Sequence, residues 1–102
     1  MTGISSPYRY QYETVAASQA AQVLGGTGAT GDYLHRLVIS VITAATGTVT
    51  ILDGATSIVL SSGTQGAIGV ISIEMNMISV NGAWAVTTGA GATVIGVGIF
   101  SA

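Results

Sequence analysis

Short β-branched segments separated by glycine-containing turns limit the folds open to this chain more than any other feature of its sequence. The strongest apolar run spans 33–42, and Asp53-Gly54 is a typical hairpin dipeptide. Strands spaced about 8–12 residues apart with polar turns between them are typical of a sandwich or barrel. We therefore predict an all-β, antiparallel β-sandwich of about eight short strands. The predicted strands cover 20–24, 33–42, 47–52, 56–60, 69–75, 76–80, 83–88 and 93–100.

Helix-forming residues cluster in one segment, from Glu13 to Leu24. Its apolar residues form no stripe at the helical period, and it ends in Gly25-Gly26. A strand over Ala20 to Leu24 is the preferred interpretation, and a short helix is the alternative.

Residues 1–18 differ from the rest of the chain, since they hold its one proline and three of its four tyrosines. We predict that residues 1–18 form an extended N-terminal arm and that residues 19–102 form the β-sandwich domain. Tyr8, Tyr10 and Tyr12 share one face of an extended segment, and Arg9 lies between them. Tyrosine is frequent at protein interfaces, so these four residues are predicted to bind a partner. An edge strand of the same domain, or a frayed terminus, is the alternative.

Charge is scarce, with six charged side chains, no lysine and a net charge of −2. The chain therefore offers no basic patch for a nucleic acid or an acidic membrane. The uncharged stretch 75–102 is interrupted by polar residues and glycines, so no membrane span is expected, and the N terminus does not resemble a signal peptide. We expect a protein made in a cytoplasm. Because so few charges must keep the surface soluble, we also predict a homodimer, a homotrimer or attachment to a larger assembly.

The sequence carries little support for catalysis, for a cofactor or for a metal. Gly26–Gly31 matches the spacing GxGxxG, but no helix is predicted to follow and no lysine is present to reach a phosphate. One histidine, no cysteine and scattered carboxylates do not make a zinc site. We therefore predict a protein that is not an enzyme and that has no catalytic, cofactor-binding or metal-binding residues.

The densest polar cluster is Asp32, His35 and Arg36. In a regular strand His35 and Arg36 point to opposite faces, so we expect a solvated strand start or a salt link to a neighbouring subunit. Glu74 is predicted to lie exposed on an edge or to pair with Arg36 or Arg9. Trp84 is interpreted as a core residue, with a sugar-stacking platform as the alternative.

Three landmarks resemble those of small structural proteins of tailed bacteriophages. They are Gly-Asp-Tyr-Leu at 31–34, Asp-Gly at 53–54 and Gly-x-Trp-x-Val-Thr-Thr-Gly at 82–89. The resemblance covers about four fifths of the chain and implies a jelly-roll-like virion β-sandwich. It further implies a capsid decoration (cement) protein that bridges and stabilises neighbouring major capsid protein subunits at the capsid surface, assembled in the host cytoplasm. The alternatives are a phage tail, fibre or head–tail component and a carbohydrate-binding module that uses Trp84.

Overall fold

The computed structural model describes residues 10–41, 49–61 and 69–101, and within these ranges the chain is all-β, without a helix. The shortest strand, at 22–23, is followed by a glycine-rich segment, whereas the β-branched runs form the longer strands. The eight strands are β1 (Gln11–Val15), β2 (Gln22–Val23), β3 (Tyr33–Val41), β4 (Val49–Asp53), β5 (Thr56–Ser61), β6 (Gly69–Ile78), β7 (Trp84–Thr87) and β8 (Ala92–Ile99).

The strands form two four-stranded antiparallel sheets, in the orders β1-β8-β3-β6 and β2-β7-β4-β5. The pairs β1–β8, β2–β7, β3–β6 and β4–β5 are nested, as if one long hairpin had been wrapped around itself. The further pairs β3–β8 and β4–β7 join these units within each sheet. This is the topology of an eight-stranded jelly roll, so the predicted fold class is confirmed.

The core lies between the two sheets and follows the alternation of each strand. In β3 every second side chain is buried on either side of His35-Arg36, because one face of the strand meets the opposite sheet. Trp84, predicted as a core residue, is 2% exposed. The buried core comprises Val15, Leu24, Leu34, Leu37, Ile39, Val41, Val49, Ile51, Trp84, Val86, Ala92, Val94 and Phe100.

Two turn predictions have different outcomes. Asp53-Gly54 does form the β4–β5 hairpin: Asp53 pairs with Thr56, and Gly54 has the positive φ of 62° that a two-residue hairpin turn needs. Asn81-Gly82 does not form a hairpin, because the chain passes there from β6 in the first sheet to β7 in the second. The predicted strands 69–75 and 76–80 are one strand ending at Ile78.

The structure places part of the predicted arm inside the sandwich. Gln11–Val15 is an edge strand of the first sheet, in register with β8, and Val15 is fully buried. Burial of this valine in the core stabilises the packing of the strand on its own domain. The boundary predicted at residue 18 is therefore corrected, because residues 11–15 belong to the sandwich. Tyr8 and Arg9 lie outside the described residues.

The close packing of the first sheet can be tested by a substitution at Gly98 in β8. A Cβ at this position would overlap the Tyr33 carbonyl oxygen and approach the Phe100 ring to 2.9 Å, whereas a Cβ at Gly96 would meet the flexible end of Leu24. We expect Gly98→Ala to lower the free energy of unfolding by about 1–3 kcal/mol, and Gly96→Ala to lower it less. Urea unfolding of the two variants measures the difference, and equal losses would contradict this account.

Candidate interaction surface

The segment between β2 and β3 is held in place by its glycines. Gly25 and Gly28 have φ values of 93° and 66°, which L side chains rarely adopt. A Cβ at Gly25 would also collide with the backbone of Ser101, and the Gly28 N–H donates to the Ser101 carbonyl oxygen at 3.1 Å. The glycine-rich stretch that matched GxGxxG therefore serves close backbone packing on residue 101.

Asp32 ends this segment and is a buried carboxylate, 8% exposed. Its Oδ2 accepts the N–H groups of Ala29 at 3.0 Å and Ser101 at 2.9 Å, and its Oδ1 accepts the Ser101 hydroxyl at 2.7 Å. Its carbonyl oxygen accepts the Trp84 indole N–H at 2.9 Å and the Ser79 N–H at 3.0 Å. The expectation of a solvated strand start is wrong here, since these hydrogen bonds replace water.

A β-bulge follows in β3. The pairing registers of β3 with both β6 and β8 shift between Leu34 and Arg36. Against β8, His35 is the extra residue of β3, whereas against β6 the extra residue lies on β6, where Met75 and Asn76 face His35. Leu34 and Leu37 both point into the core, fully buried, while His35 and Arg36 between them are half-buried. Both side chains therefore lie on the outer face, and the expectation that they point to opposite faces is wrong.

The bulge gives His35 and Arg36 separate partners. Arg36 forms an ion pair with Glu74 of β6, with 2.9 Å between guanidinium nitrogen and carboxylate oxygen, which confirms one of the pairings predicted for Glu74. His35 stacks on Tyr10, with ring centroids 4.4 Å apart and planes 16° apart. Asp32, on the inner side, joins neither group, so the polar cluster predicted from the sequence does not converge.

Tyr10, Tyr33 and His35 form an aromatic cluster. The Tyr33 ring lies 5.9 Å from Tyr10 and 6.0 Å from His35, measured between centroids. The Tyr33 hydroxyl donates to Asn76 Oδ1 at 2.9 Å and lies 3.1 Å from His35 Nδ1. The cluster thus joins the segment before β1 to β3 and β6 across the outside of the sheet.

Apolar side chains extend this cluster into a continuous surface, which we call the outer face of the first sheet. The strand registers align its residues in four rows across the sheet. Tyr12 on β1 is 73% exposed, and Ile99 on β8 is 42% exposed. The rows are Ile99, Tyr33 and Ile78; Tyr12, Val97, Arg36 and Glu74; Thr14, Ile95, Val38 and Ser72; and Thr93, Ser40 and Val70.

The predicted partner-binding residues are only partly described. Tyr10 and Tyr12 lie on this outer face, 40% and 73% exposed, while Tyr8 and Arg9 fall outside the described residues. Sequence reasoning missed Val97 and Ile99, although apolar residues at both alternating positions of β8 were a signal that its second face is apolar too. Trp84 is not part of this surface: its ring is buried, so it cannot stack on a sugar.

A groove of about 470 Å³ lies beside β1, lined by Gln11, Tyr12, Glu13, Gly25, Gly26 and Phe100. Its polar side chains have internal partners. Glu13 accepts the Gly25 N–H at 2.8 Å and the Gln22 side-chain amide at 2.7 Å, and Gln11 accepts the Phe100 N–H at 3.1 Å. These contacts fasten β1 to the glycine segment, and they keep Tyr12 turned outward on a fixed strand.

Within residues 10–41, 49–61 and 69–101, no three His, Asp or Glu side chains come together as a metal site would require. No helix in the same ranges is long and apolar enough to cross a membrane. Comparison of the chain with protein-family models, with curated proteins and with solved structures found no match. The outer face of the first sheet is therefore the candidate functional site on its geometry alone.

Removing the Asp32 carboxylate should destabilise the fold. Asp32→Ala leaves the N–H groups of Ala29 and Ser101 without their acceptor, at a cost of about 2–4 kcal/mol. Asp32→Asn should recover most of this loss, because its amide oxygen can accept both N–H groups while its amide nitrogen donates to the Ser101 hydroxyl. Asp53→Ala is the control: Asp53 accepts exposed N–H groups of Val80 and Asn81, which water can satisfy. Urea unfolding measures the loss of unfolding free energy in each variant. A larger loss in Asp53→Ala than in Asp32→Ala would contradict the structural role assigned to Asp32.

The aromatic cluster should be visible in an alkaline titration. Partial desolvation, and then the Tyr10 hydroxyl, raise the pKa of Tyr33 above its ordinary 10.0. The folded state thus favours the neutral phenol, so this contribution to stability is fully present below the unfolded pKa and is lost as pH rises through the folded one. Tyr10→Phe should lower the pKa of Tyr33 without restoring its ordinary value, since desolvation remains. NMR titration of the tyrosine rings measures it, with exposed Tyr12→Phe as the control that leaves the pKa unchanged.

Proposed function

We propose that this chain is a structural, non-enzymatic virion protein: a capsid decoration (cement) protein that bridges and stabilises neighbouring major capsid protein subunits. The observation that carries the proposal is the outer face of the first sheet, an exposed aromatic and aliphatic surface on a jelly-roll domain. Apolar surface of this kind on a small domain is characteristic of an interaction site. In this proposal the protein acts at the capsid surface after assembly in the host cytoplasm.

The resemblance to phage structural proteins supports the fold part of this proposal. Three of its landmark residues have identifiable structural roles in this fold. Asp32 accepts five hydrogen bonds, Gly54 needs a positive φ, and Trp84 fills the core. Landmarks of this type describe a scaffold, and the role is then inferred from what the scaffold displays.

The electrostatics of the outer face support attachment by shape and apolar contact. Its two charged side chains, Arg36 and Glu74, are paired with each other, so the face presents little unbalanced charge. Tyr12 offers a large ring with a hydroxyl, a combination that is frequent in the centre of interfaces. Tyr10 and Tyr12, with Tyr8 and Arg9 before them, remain the proposed contacts to the major capsid protein. Many copies on one lattice would bind together through avidity.

A tail, fibre or head–tail component is the second candidate, because the same exposed face would serve any virion interface. A carbohydrate-binding module has less support, since the one residue proposed for sugar stacking, Trp84, is buried. Electron cryo-microscopy of intact particles with and without this protein separates the first two candidates. Density over capsomer boundaries that disappears in its absence supports the decoration role, and density confined to the tail overturns it.

Capsid binding should depend on Tyr12. Replacing it with serine removes the ring but leaves the strand, so we expect about tenfold weaker binding to capsids that lack the protein, which corresponds to about 1.4 kcal/mol. Val80→Ser is the matched control, because Val80 is equally exposed, at 73%, but lies in the connection between β6 and β7. Co-sedimentation with capsids measures both variants, with thermal unfolding to verify that each is folded.

Two outcomes would count against the proposed surface. In the first, Val80→Ser weakens binding as much as Tyr12→Ser does, which would place the contact elsewhere. In the second, salt raised to about 1 M, where the Debye length is near 3 Å, releases the protein from capsids. An interface made mainly of apolar and tyrosine contacts should withstand that change.

A further inference from the structure

β6 stands at the edge of the first sheet as the described strands build it. It spans Gly69–Ile78, the longest strand of the structure, and among the described residues it pairs with β3 alone. An edge strand exposes N–H and C=O groups that can pair with another strand, and proteins usually block such edges with lysine, proline or a very short strand. β6 contains neither lysine nor proline, and its one charged residue, Glu74, is paired with Arg36.

The core is also open beside β6. The inward residues of β6 include Ile71 and Ile73, which pack against the core but are only partly buried. Their neighbours on β3, Leu37 and Ile39, are 0% and 3% exposed. A strand added beyond β6, with apolar side chains on the same face, would complete the burial of this row.

We propose that a second copy of this chain supplies that strand, and that two β6 strands pair antiparallel to join two first sheets into one continuous sheet. The occupant must present a strand with alternating apolar residues on the core side, and β6 itself has this pattern. Each copy would then cover the open row of the other with an identical row. This inference goes beyond the proposed capsid role and does not depend on it.

Charge and backbone geometry select the register of the pair. A two-fold axis at Glu74 would place the two Glu74 carboxylates opposite each other, which is unfavourable. Asn76 has a φ of 50° and Gly69 a φ of 151°, so regular extended backbone runs over residues 70–75. An axis at Ser72 pairs residues 70–74 with themselves and sets each Glu74 opposite Val70 of the partner.

The geometry points to a dimer and away from a trimer. An edge paired antiparallel with itself is an isologous contact, which closes at two copies. The other three edges are shorter: β2 has two residues, β5 has six, and β1 has five, of which Glu13 is already bound to the glycine segment. β6 is therefore the edge that fits a second copy best.

A single introduced cysteine tests the axis directly, because the chain has none. Directly opposed residues of an antiparallel pair have Cα atoms about 4.5–5.5 Å apart, within the range a disulfide spans. Under mild oxidation, Ser72→Cys should give a covalent dimer in most of the protein. Ser57→Cys, at an exposed position of β5 in the second sheet, is the matched control and should remain largely uncrosslinked.

A charge at the axis tests the same contact without a covalent bond. The wild-type protein should have a solution mass of about twice 10.1 kDa, and Ser72→Lys should return it to the monomer mass, since two lysines would face each other. Ser57→Lys should leave the dimer intact.

A monomeric wild type at high concentration would overturn the inference, as would a dimer that Ser72→Lys leaves unchanged. Dimerisation through the β5 edge would overturn it as well, and would appear as crosslinking of the β5 variant instead. These measurements use isolated protein, so their failure leaves capsid binding untouched.

Discussion

The rest of the structure depends on one buried carboxylate. Asp32 has no cation beside it among the described residues, and its charge is balanced by hydrogen bonds from Ala29 and Ser101. Its carbonyl oxygen at the same time holds Trp84, at the start of β7, and Ser79, just after β6. A single residue thus fastens the glycine segment, the chain after β8 and the crossing between the two sheets. Buried polar networks of this kind, when fully satisfied, specify one arrangement of the elements around them.

The outer face of the first sheet follows from that fixed frame. With the start of β3 held at Asp32, the bulge at His35 turns two successive polar side chains outward and keeps Leu34 and Leu37 in the core. Glu13 likewise fastens β1 to the glycine segment, so Tyr12 stands on a strand held from both sides. A surface built on paired and hydrogen-bonded backbone loses less conformational freedom on meeting a partner than an unpaired segment would, which favours binding.

The sequence was sufficient for the fold class because alternation and turn chemistry act locally. The β4–β5 hairpin could be predicted from Asp53-Gly54, and the core role of Trp84 from its alternating strand. The role of Asn81-Gly82 could not be predicted, because the same dipeptide occurs in hairpins and in connections between sheets. Long-range contacts, such as the hydrogen bond from the Val80 N–H to Asp53, decide between the two. The bulge at His35 was also invisible, since one extra residue in a strand leaves no mark on composition. For the same reason the outward position of both His35 and Arg36 emerged only from the strand registers.

The nested pairing of the strands has a consequence for how the protein is made. β1 pairs with β8 alone in the described structure, so during synthesis β1 finds its partner only after β8 has left the ribosome. Contacts so distant in sequence are slow to form. Until β8 arrives to bridge β1 and β3, the apolar edges of both remain uncovered in the nascent chain. Synthesis of many copies side by side, as in an infected cell in the proposed role, would expose such edges to one another. The absence of lysine and the small number of other charged residues leave little charge to keep them apart, so the rate of translation and the supply of chaperones become part of the protein's folding conditions.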